Sequence, residues 1–133
     1  MPQYWLLKVE PSDFPITKLK ADGKVTWDGV KNFQAQKYMK TMKIGDLALY
    51  YHTEKERSVV GIARISKEYY IDKDPKFGVV DVEYVESFTN PVTLDTIKKT
   101  EKLNAMTILK QPRLSISSVT AEQWDVINEL SQE

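Results

Sequence analysis

The sequence predicts a mixed α+β fold, with a small barrel-like sheet flanked by short helices. Three observations support this prediction. Short segments rich in aromatic and aliphatic residues, typical of strands, are separated by short helical patterns. The segments lack the regular alternation of βαβ units, and the chain contains no internal repeat. Of its 133 residues, 41% are hydrophobic and 29% are charged, so we expect one globular domain over residues 1–133.

The first strand is predicted over residues 4–9, an aromatic and aliphatic run. It ends before Pro11, because proline has no backbone N–H to donate and restricts the residue before it. A short helix is expected at 14–20. After a turn, a brief extended segment at 25–27 ends at Asp28-Gly29, a pair that favours turns.

A longer helix is predicted over residues 32–42. Its apolar residues recur at helical spacing and should face the core, and they are Ala35, Tyr38, Met39 and Met42. Asn32 is the best N-cap candidate, because its side-chain oxygen can accept a hydrogen bond from the first turn.

The middle of the chain is predicted to form a hairpin and one further strand. The hairpin strands are expected at 47–53 and 58–66, the second extending as far as Tyr70, with a charged turn at 54–57 between them. In residues 80–84, valine and tyrosine alternate with acidic residues, which indicates a half-exposed strand.

The last third begins with a short helix predicted at 93–100, followed by a short strand at 114–117. Thr120 and Gln123 then have the spacing of a capping box, so we expect a final helix to begin there. Trp124 lies in its apolar stripe and is predicted to be core.

Composition excludes several kinds of site. The chain has no cysteine and a single histidine, His52, which excludes disulfides and thiolate sites and argues against a transition-metal centre. We therefore expect neither a metal nor a cofactor. No apolar run is long enough to cross a bilayer, and the first residues lack a signal pattern. The expectation is a cytoplasmic protein with no membrane partner, taken as a monomer.

Charge is balanced overall, with 19 basic and 19 acidic residues, so tight and indiscriminate binding to polyanions is not expected. Between residues 29 and 44, however, there are four lysines and no acid. They are Lys31, Lys37, Lys40 and Lys43. This segment is either a locally positive face or the solvated side of the helix.

Two readings of the polar and aromatic residues stay open at this point. His52 is the one side chain that ordinarily titrates near neutrality, so proton transfer would favour it, with Glu10 as a carboxylate partner. Aromatic residues at strand ends, Trp27 and Tyr51 among them, either fill the core or stack on a flat base. No signature motif of a nucleotide-binding enzyme or a hydrolase is present.

Six motifs follow one another along nearly the whole chain, and their order is more specific than any one of them. They are Lys8-Val9-Glu10-Pro11, Thr26-Trp27-Asp28-Gly29-Val30-Lys31-Asn32-Phe33-Gln34-Ala35, Met42-Lys43-Ile44-Gly45-Asp46, Tyr50-Tyr51-His52-Thr53, Val60-Gly61-Ile62-Ala63 and Gln111-Pro112-Arg113-Leu114-Ser115-Ile116. Together they closely resemble the EVE domain. The resemblance implies a PUA-like fold, a curved β-barrel with helices around it, related to the YTH and SRA readers of modified bases.

For function, the resemblance implies a nucleic-acid-binding pocket, in DNA or RNA recognition, that accepts a modified base such as a methylated cytosine or adenine. It implies recognition without catalytic turnover. The pocket residues implied are Lys8, Glu10, Pro11, Trp27, Asn32, Tyr51 and His52. The rim or phosphate contacts implied are Lys31, Lys37, Gln111, Arg113 and Ser115. Trp27 would be a stacking wall, and Asn32 would read the base with its amide.

Two alternatives remain beside the reader. One is an enzyme acting on a nucleotide or RNA, with His52 and Glu10 transferring protons. The other is a module whose aromatic cavity holds a peptide or a small metabolite.

Overall fold

In the computed structural model, which describes residues 3–133, six strands form one sheet with helices packed on both of its faces. The strands are β1 (Tyr4–Val9), β2 (Lys24–Trp27), β3 (Leu47–His52), β4 (Ser58–Tyr70), β5 (Val79–Thr93) and β6 (Ile116–Val119). The helices are α1 (Ile16–Asp22), α2 (Phe33–Thr41), α3 (Leu94–Lys99), α4 (Thr107–Lys110) and α5 (Ala121–Leu130), with a 3-10 helix at Glu101–Leu103. The mixed α+β class is confirmed.

The sheet has the strand order β2-β5-β4-β3-β1-β6. β1 and β3 are parallel, and the other neighbouring pairs are antiparallel. β2 pairs only with β5 and β6 only with β1 across residues 3–133, so the sheet is open and the predicted barrel closure is wrong. Both edge strands have only four residues. Although β2 and β6 do not pair with each other, both contribute to one core, since Trp27 of β2 and Ile116 of β6 belong to the same buried cluster. The sheet therefore curves until its edges approach each other without pairing.

Two hydrophobic cores lie on opposite faces of this sheet. The cleft face, covered by α1 and α2, includes the buried residues Trp5, Leu7, Leu19, Trp27, Ala35, Met39, Tyr50 and Ile116. The closed face, covered by α3 to α5, includes Leu6, Leu49, Tyr51, Phe88, Ile97, Met106, Trp124 and Ile127. Strand alternation explains the split, because successive side chains point to opposite sides of a sheet. Tyr50 and Tyr51 are therefore adjacent in sequence but lie in different cores.

The strand predicted at 80–84 is much longer than expected. It continues through Pro91 to Thr93, because β4 pairs with it over nearly its whole length. The register between the two strands jumps, since Gly61 pairs with Ser87 and Val59 with Val92. Pro91 lies in the irregular stretch between these pairs, where its missing N–H removes no regular ladder bond.

Helix starts agree well with their sequence signals. The Asn32 side chain accepts a hydrogen bond from Ala35 N at 2.9 Å, and the Thr120–Gln123 capping box is formed in both directions. The 3-10 helix and α4 had not been predicted, and β6 begins two residues later than the predicted strand at 114–117. Across residues 3–133 no helix is both long enough and apolar enough to span a membrane.

Asp46 ties the end of α2 to the first strand. Its buried carboxylate accepts hydrogen bonds from the backbone N–H of Gln3 at 3.0 Å, the indole Nε1 of Trp5 at 3.1 Å and the backbone N–H of Lys43 at 3.0 Å. Three donors satisfy a buried carboxylate that has no cationic partner in this network. The turn 43–46 is thereby fixed against β1.

Candidate binding cleft

A cleft of 460 Å³ opens on the cleft face, between the two edges of the curved sheet. One wall is formed by residues 25–27 of β2 and the loop 28–32 that follows. The other wall is formed by residues 8–10 at the end of β1, by Asp13 and Phe14, and by Ser115 just before β6. The volume falls in the range of about 300–1,000 Å³ that is usual for small-molecule sites. Loops from both sheet edges therefore converge on one cavity.

Trp27 is the last residue of β2 and lines the cleft while remaining 8% exposed. Its ring packs edge-on against Tyr50, with ring centroids 5.6 Å apart and planes at 77°. The buried Tyr50 hydroxyl donates to the carbonyl of Phe14 at 2.7 Å, and Phe14 lies on the opposite wall. Tyr50 thus supports an aromatic residue on each side of the cavity. Burial raises the pKa of its hydroxyl, so the group stays a donor.

Asn32 lies where the loop 28–32 meets α2. Its Oδ1 caps the helix, which leaves the Nδ2 hydrogens for an acceptor in the cleft that it lines. The loop before it turns at Gly29, whose φ of 74° is in the left-handed region that favours glycine. Capping and ligand recognition are therefore compatible at this residue.

Gln36 fixes the loop 28–32 from behind. Its buried Nε2 donates to Val30 O at 2.8 Å and to Gly78 O at 3.0 Å. Its Oε1 accepts from the Tyr69 hydroxyl at 2.7 Å and from Gly78 N at 3.2 Å. One amide thus connects α2, the cleft loop and the loop before β5, and every polar atom of that amide is used.

The charged groups of the cleft supply both donors and acceptors. Glu10, Asp13 and Asp28 contribute carboxylates, and Lys31 contributes an ammonium group. Lys8 also lines the cleft, but its Nζ lies 5.9 Å from the ring centroid of Tyr51. Burial lowers the pKa of Lys8, whose Nζ donates to the carbonyl of Pro112. A ligand that offers both an amino group and a carbonyl along one edge matches this arrangement.

Most of the predicted site residues meet in this region. Six line the cleft, and they are Lys8, Glu10, Trp27, Lys31, Asn32 and Ser115. Gln111 and Arg113 line an adjoining groove of 350 Å³, which shares Asn32 with the cleft. Pro11 and Lys37 line neither cavity. Lys37 is exposed on α2, and Pro11 lies in the turn after β1.

Tyr51 and His52 do not line the cleft, contrary to the prediction. Tyr51 points to the closed face, where it packs in that core. His52 is buried and accepts a hydrogen bond at Nε2 from the backbone N–H of Ile16 at 3.1 Å. Its Nδ1 therefore carries the proton and donates to Glu56, 2.8 Å away. The predicted His52–Glu10 pair is absent, and His52 positions the start of α1.

Eight cleft residues had no role in the sequence prediction, and they include Asp13, Phe14, Val25 and Asp28. Asp28 was visible as part of a turn signal, but the turn gave no indication that its carboxylate lines a cavity. Phe14 follows β1 closely, yet only the curvature of the sheet brings it opposite Trp27. In the part of the chain that the structure describes, no three histidine, aspartate or glutamate side chains are grouped to hold a metal ion.

Comparison with known proteins identifies relatives over nearly the whole chain. The model of the EVE domain matches residues 3–130. Thymocyte nuclear protein 1 of Mus musculus is 32% identical, in an alignment that covers 97% of this chain and 74% of the mouse protein. A solved protein from Rhodopseudomonas palustris is 38% identical, with a TM-score of 0.94 over 98% of this chain and 93% of that chain. Human THYN1, solved in complex with DNA that contains 5-methylcytosine, is 30% identical, with a TM-score of 0.91 over 98% of both chains.

Proposed function

We propose, since this chain belongs to the EVE domain family, that it is a nucleic-acid reader and holds one methylated base in the cleft beside Trp27. The observation that carries the proposal is the cavity itself. It has the volume of a ligand site, an indole on one wall, and capping Asn32 at its edge. The crystallised complex of human THYN1 with DNA containing 5-methylcytosine supports this ligand class.

The chemistry of cytosine fits the groups along the cleft. Its exocyclic amine is a donor, which suits carboxylates such as Glu10 and Asp28. Its carbonyl is an acceptor, which suits the Nδ2 group of Asn32. An unpaired polar group in a buried edge costs about 1–3 kcal/mol, so these contacts decide which base is accepted.

Recognition of the methyl group is assigned to apolar residues. Val9 and Val25 both line the cavity and offer apolar surface to a methyl group. Burying one methyl contributes about 0.8 kcal/mol, which discriminates a methylated base only several-fold. Base identity is therefore read more strictly than methylation.

The base enters by leaving its stack. Flipping costs a few kcal/mol, and stacking on an aromatic ring returns about 1–3 kcal/mol per ring. Stacking on one ring does not offset the cost of flipping, so a second ring must cover the other face of the base. Tyr51 was expected in that role, but it faces the other core. Phe14, opposite Trp27 and tied to the same Tyr50, takes that role in this proposal.

The part of the nucleic-acid strand that lies outside the cleft contacts the polar residues at its rim. Gln111 and Arg113 line the groove that continues from Asn32, and Lys31 and Ser115 lie at the cleft itself. Arg113 is the best phosphate ligand of this set, because its guanidinium binds phosphate oxygens in pairs. Because few cationic side chains line the cleft and the groove, few phosphates are neutralised and the affinity should depend only weakly on salt.

Two tryptophans make a matched test of the proposal. Trp27 and Trp124 are each 8% exposed, but Trp124 lies on the closed face, stacked on Tyr4. We expect Trp27→Leu to weaken binding of single-stranded DNA containing 5-methylcytosine at least about tenfold, in line with the loss of one stacking contact. Trp124→Leu should destabilise the fold and leave the affinity unchanged.

Fluorescence anisotropy with labelled DNA and RNA, each with cytosine or 5-methylcytosine, provides the measurement. Circular dichroism confirms that each variant is folded. Equal affinity of the parent and of Trp27→Leu for every oligonucleotide would contradict the stacking role. Turnover of an added nucleotide would favour the enzyme alternative, although the cleft lacks the His52 that this alternative invoked. The cytoplasmic location and the monomeric state stay predictions.

A further inference from the structure

A pair of aromatic rings, one exposed and one half-buried, lies at the surface beside the cleft. Phe33, the first residue of α2, is 64% exposed, and its ring centroid lies 5.4 Å from that of Phe77, with the planes tilted by 40°. The ammonium of Lys76 lies 5.5 Å from the centroid of each ring. The two rings come from segments far apart in sequence, so the fold brings them together at the surface.

Both rings have rigid supports. Phe33 directly follows Asn32, which caps α2. Phe77 directly precedes Gly78, whose N–H and carbonyl both bond to the amide of the buried Gln36 in α2. Packing of the core does not require Phe33, because most of its surface faces solvent. A single exposed apolar side chain is common, but two aromatic rings in contact at the surface form a contiguous apolar patch, and such patches mark binding sites.

The pair is continuous with the cleft. A cavity of 210 Å³ beside Phe77 shares the loop 28–31 as its wall with the main cleft. Three aspartates and two lysines line this second cavity, so its charges nearly balance and do not attract a phosphate strongly. An uncharged base with a flat face fits such a surface, and the nearby lysines Lys31 and Lys76 are available to the phosphate that follows it.

We propose that Phe33 and Phe77 form a stacking platform for the base of the nucleotide next to the one in the cleft. The inference rests on the proposed function, and the platform would be a second base site beside the cleft. Stacking on phenylalanine accepts any base, so the platform contributes affinity for the strand without reading its sequence. The Lys76 ammonium, which already lies against both rings, contacts the phosphate of that nucleotide.

The test compares ring variants with short fluorescein-labelled single-stranded DNA that carries a central 5-methylcytosine. We expect Phe33→Ala to weaken binding about tenfold, within the range of a base–aromatic stack. Phe33→Tyr keeps a ring and should bind like the parent. Ile44→Ala removes an equally exposed apolar side chain beyond the other end of α2 and should also bind like the parent.

Two further probes separate the platform from the cleft. With the free nucleotide 5-methyl-dCMP, Phe33→Ala and the parent should bind equally, because no neighbouring base is present. With DNA that carries an abasic site on each side of the 5-methylcytosine, the parent should weaken to the level of Phe33→Ala, and Phe33→Ala should weaken no further.

The remaining outcomes overturn the inference in distinguishable ways. If the parent binds the DNA and Phe33→Ala binds it equally well, the platform is wrong and the reader function stands. If Phe33→Ala weakens the free nucleotide as much as the DNA, Phe33 acts on the cleft and the platform is also wrong. If the parent sediments as a dimer and Phe33→Ala as a monomer, the occupant is a second copy of the chain. If the parent binds no oligonucleotide, the proposed function fails together with the platform.

Discussion

The two faces of the sheet are held together by different interactions. On the cleft face, buried polar side chains bond to the backbone of other segments: Asp46 to Gln3 and Lys43, Gln36 to Val30 and Gly78, and His52 to Ile16. On the closed face, aliphatic and aromatic residues pack against α3 to α5, and threonine side chains cap the starts of α3 and α5.

This difference follows from what each face has to position. Loops have few internal backbone hydrogen bonds, so a cleft made of loops needs side chains that bond to their carbonyl and N–H groups. Helices satisfy their own backbone, so a face covered by helices needs only apolar area and caps. Substitutions on the cleft face should therefore affect both stability and binding, whereas those on the closed face should affect stability alone.

The largest effect is expected at Asp46. Asp46→Ala leaves the Trp5 indole and two backbone N–H groups without their acceptor, which should lower the free energy of unfolding by about 3 kcal/mol. Asp95→Ala is the matched control on a closed-face helix, because this exposed carboxylate forms an ion pair with Lys99 at 2.9 Å and should contribute less than about 1 kcal/mol. Urea denaturation of both variants gives the comparison. Similar losses would show that the Asp46 network is not an anchor.

The next largest effect is expected at Gln36, where Gln36→Ala should lower the free energy of unfolding by about 2 kcal/mol. Four hydrogen bonds of its amide are lost, and water replaces some of them. Gln34, two residues earlier in α2, is exposed and serves as the control, with an expected change within about 0.5 kcal/mol. Native-state hydrogen exchange adds a local measurement. The Gly78 N–H also donates to the Tyr69 hydroxyl at 2.9 Å, but Gln36 holds that hydroxyl in place as well. The Gly78 amide should therefore exchange faster in Gln36→Ala, and unchanged exchange there would argue against the role of Gln36.

Local signals in the sequence predicted much of this fold. Asn32 and Thr120 cap the helices that they were expected to cap, because capping depends on residues three apart. The first strand and the hairpin were visible as apolar runs. The extension of β5 past Pro91 was not visible, because its pairing with β4 around a register jump is a long-range feature.

The site was also predictable only where local sequence signals define it. The EVE-like motifs located the loop with Trp27 and Asn32, but they did not reveal the orientation of Tyr50-Tyr51-His52. Three consecutive ring-bearing residues carry no alternation in polarity, so the sequence does not indicate which of them faces the cleft. The bond from Gln36 to Gly78 joins residues 42 positions apart, and no local pattern encodes it.

The two faces can also be compared through one helix cap on each, where the expected loss of stability is smaller. Asn32→Ala on the cleft face and Thr120→Ala on the closed face each remove a capping side chain and should each cost about 1 kcal/mol of stability. Only Asn32→Ala should also weaken binding of 5-methylcytosine DNA, by roughly fivefold or more, because its amide is assigned to the base. Thermal unfolding and anisotropy together test this pair. Equal binding by both variants would leave Asn32 as a cap alone.

The adjacent tyrosines give the smallest expected effect at neutral pH. Tyr50→Phe removes the hydrogen bond to the Phe14 carbonyl and should cost about 1 kcal/mol. It should also weaken binding modestly, since Phe14 lies on the cleft wall. Tyr51→Phe, on the closed face, should change stability by less than about 0.5 kcal/mol and leave binding unchanged. Urea denaturation and anisotropy check both variants.

Alkaline pH separates these two tyrosines further. Burial raises the pKa of both hydroxyls above 10.0, and at Tyr51 the nearby charge of Arg57 opposes the shift. Below pH 10.0 both hydroxyls are protonated in the folded and unfolded chain, so their contribution is fully present. As the pH rises further, the unfolded chain releases protons that the folded chain keeps, and stability falls by at most about 1.4 kcal/mol per pH unit for each hydroxyl.

Tyr50→Phe should therefore lose stability less steeply than the parent above pH 10.0, and Tyr51→Phe should follow the parent more closely. Burial lowers the pKa of Lys8, which acts in the opposite direction, but Lys8 is common to all three proteins and cancels in their differences. Urea denaturation at several alkaline pH values measures the slopes. Parallel profiles for the parent and Tyr50→Phe would mean that the Tyr50 hydroxyl reaches water, and the support of both cleft walls by one buried ring would then be wrong.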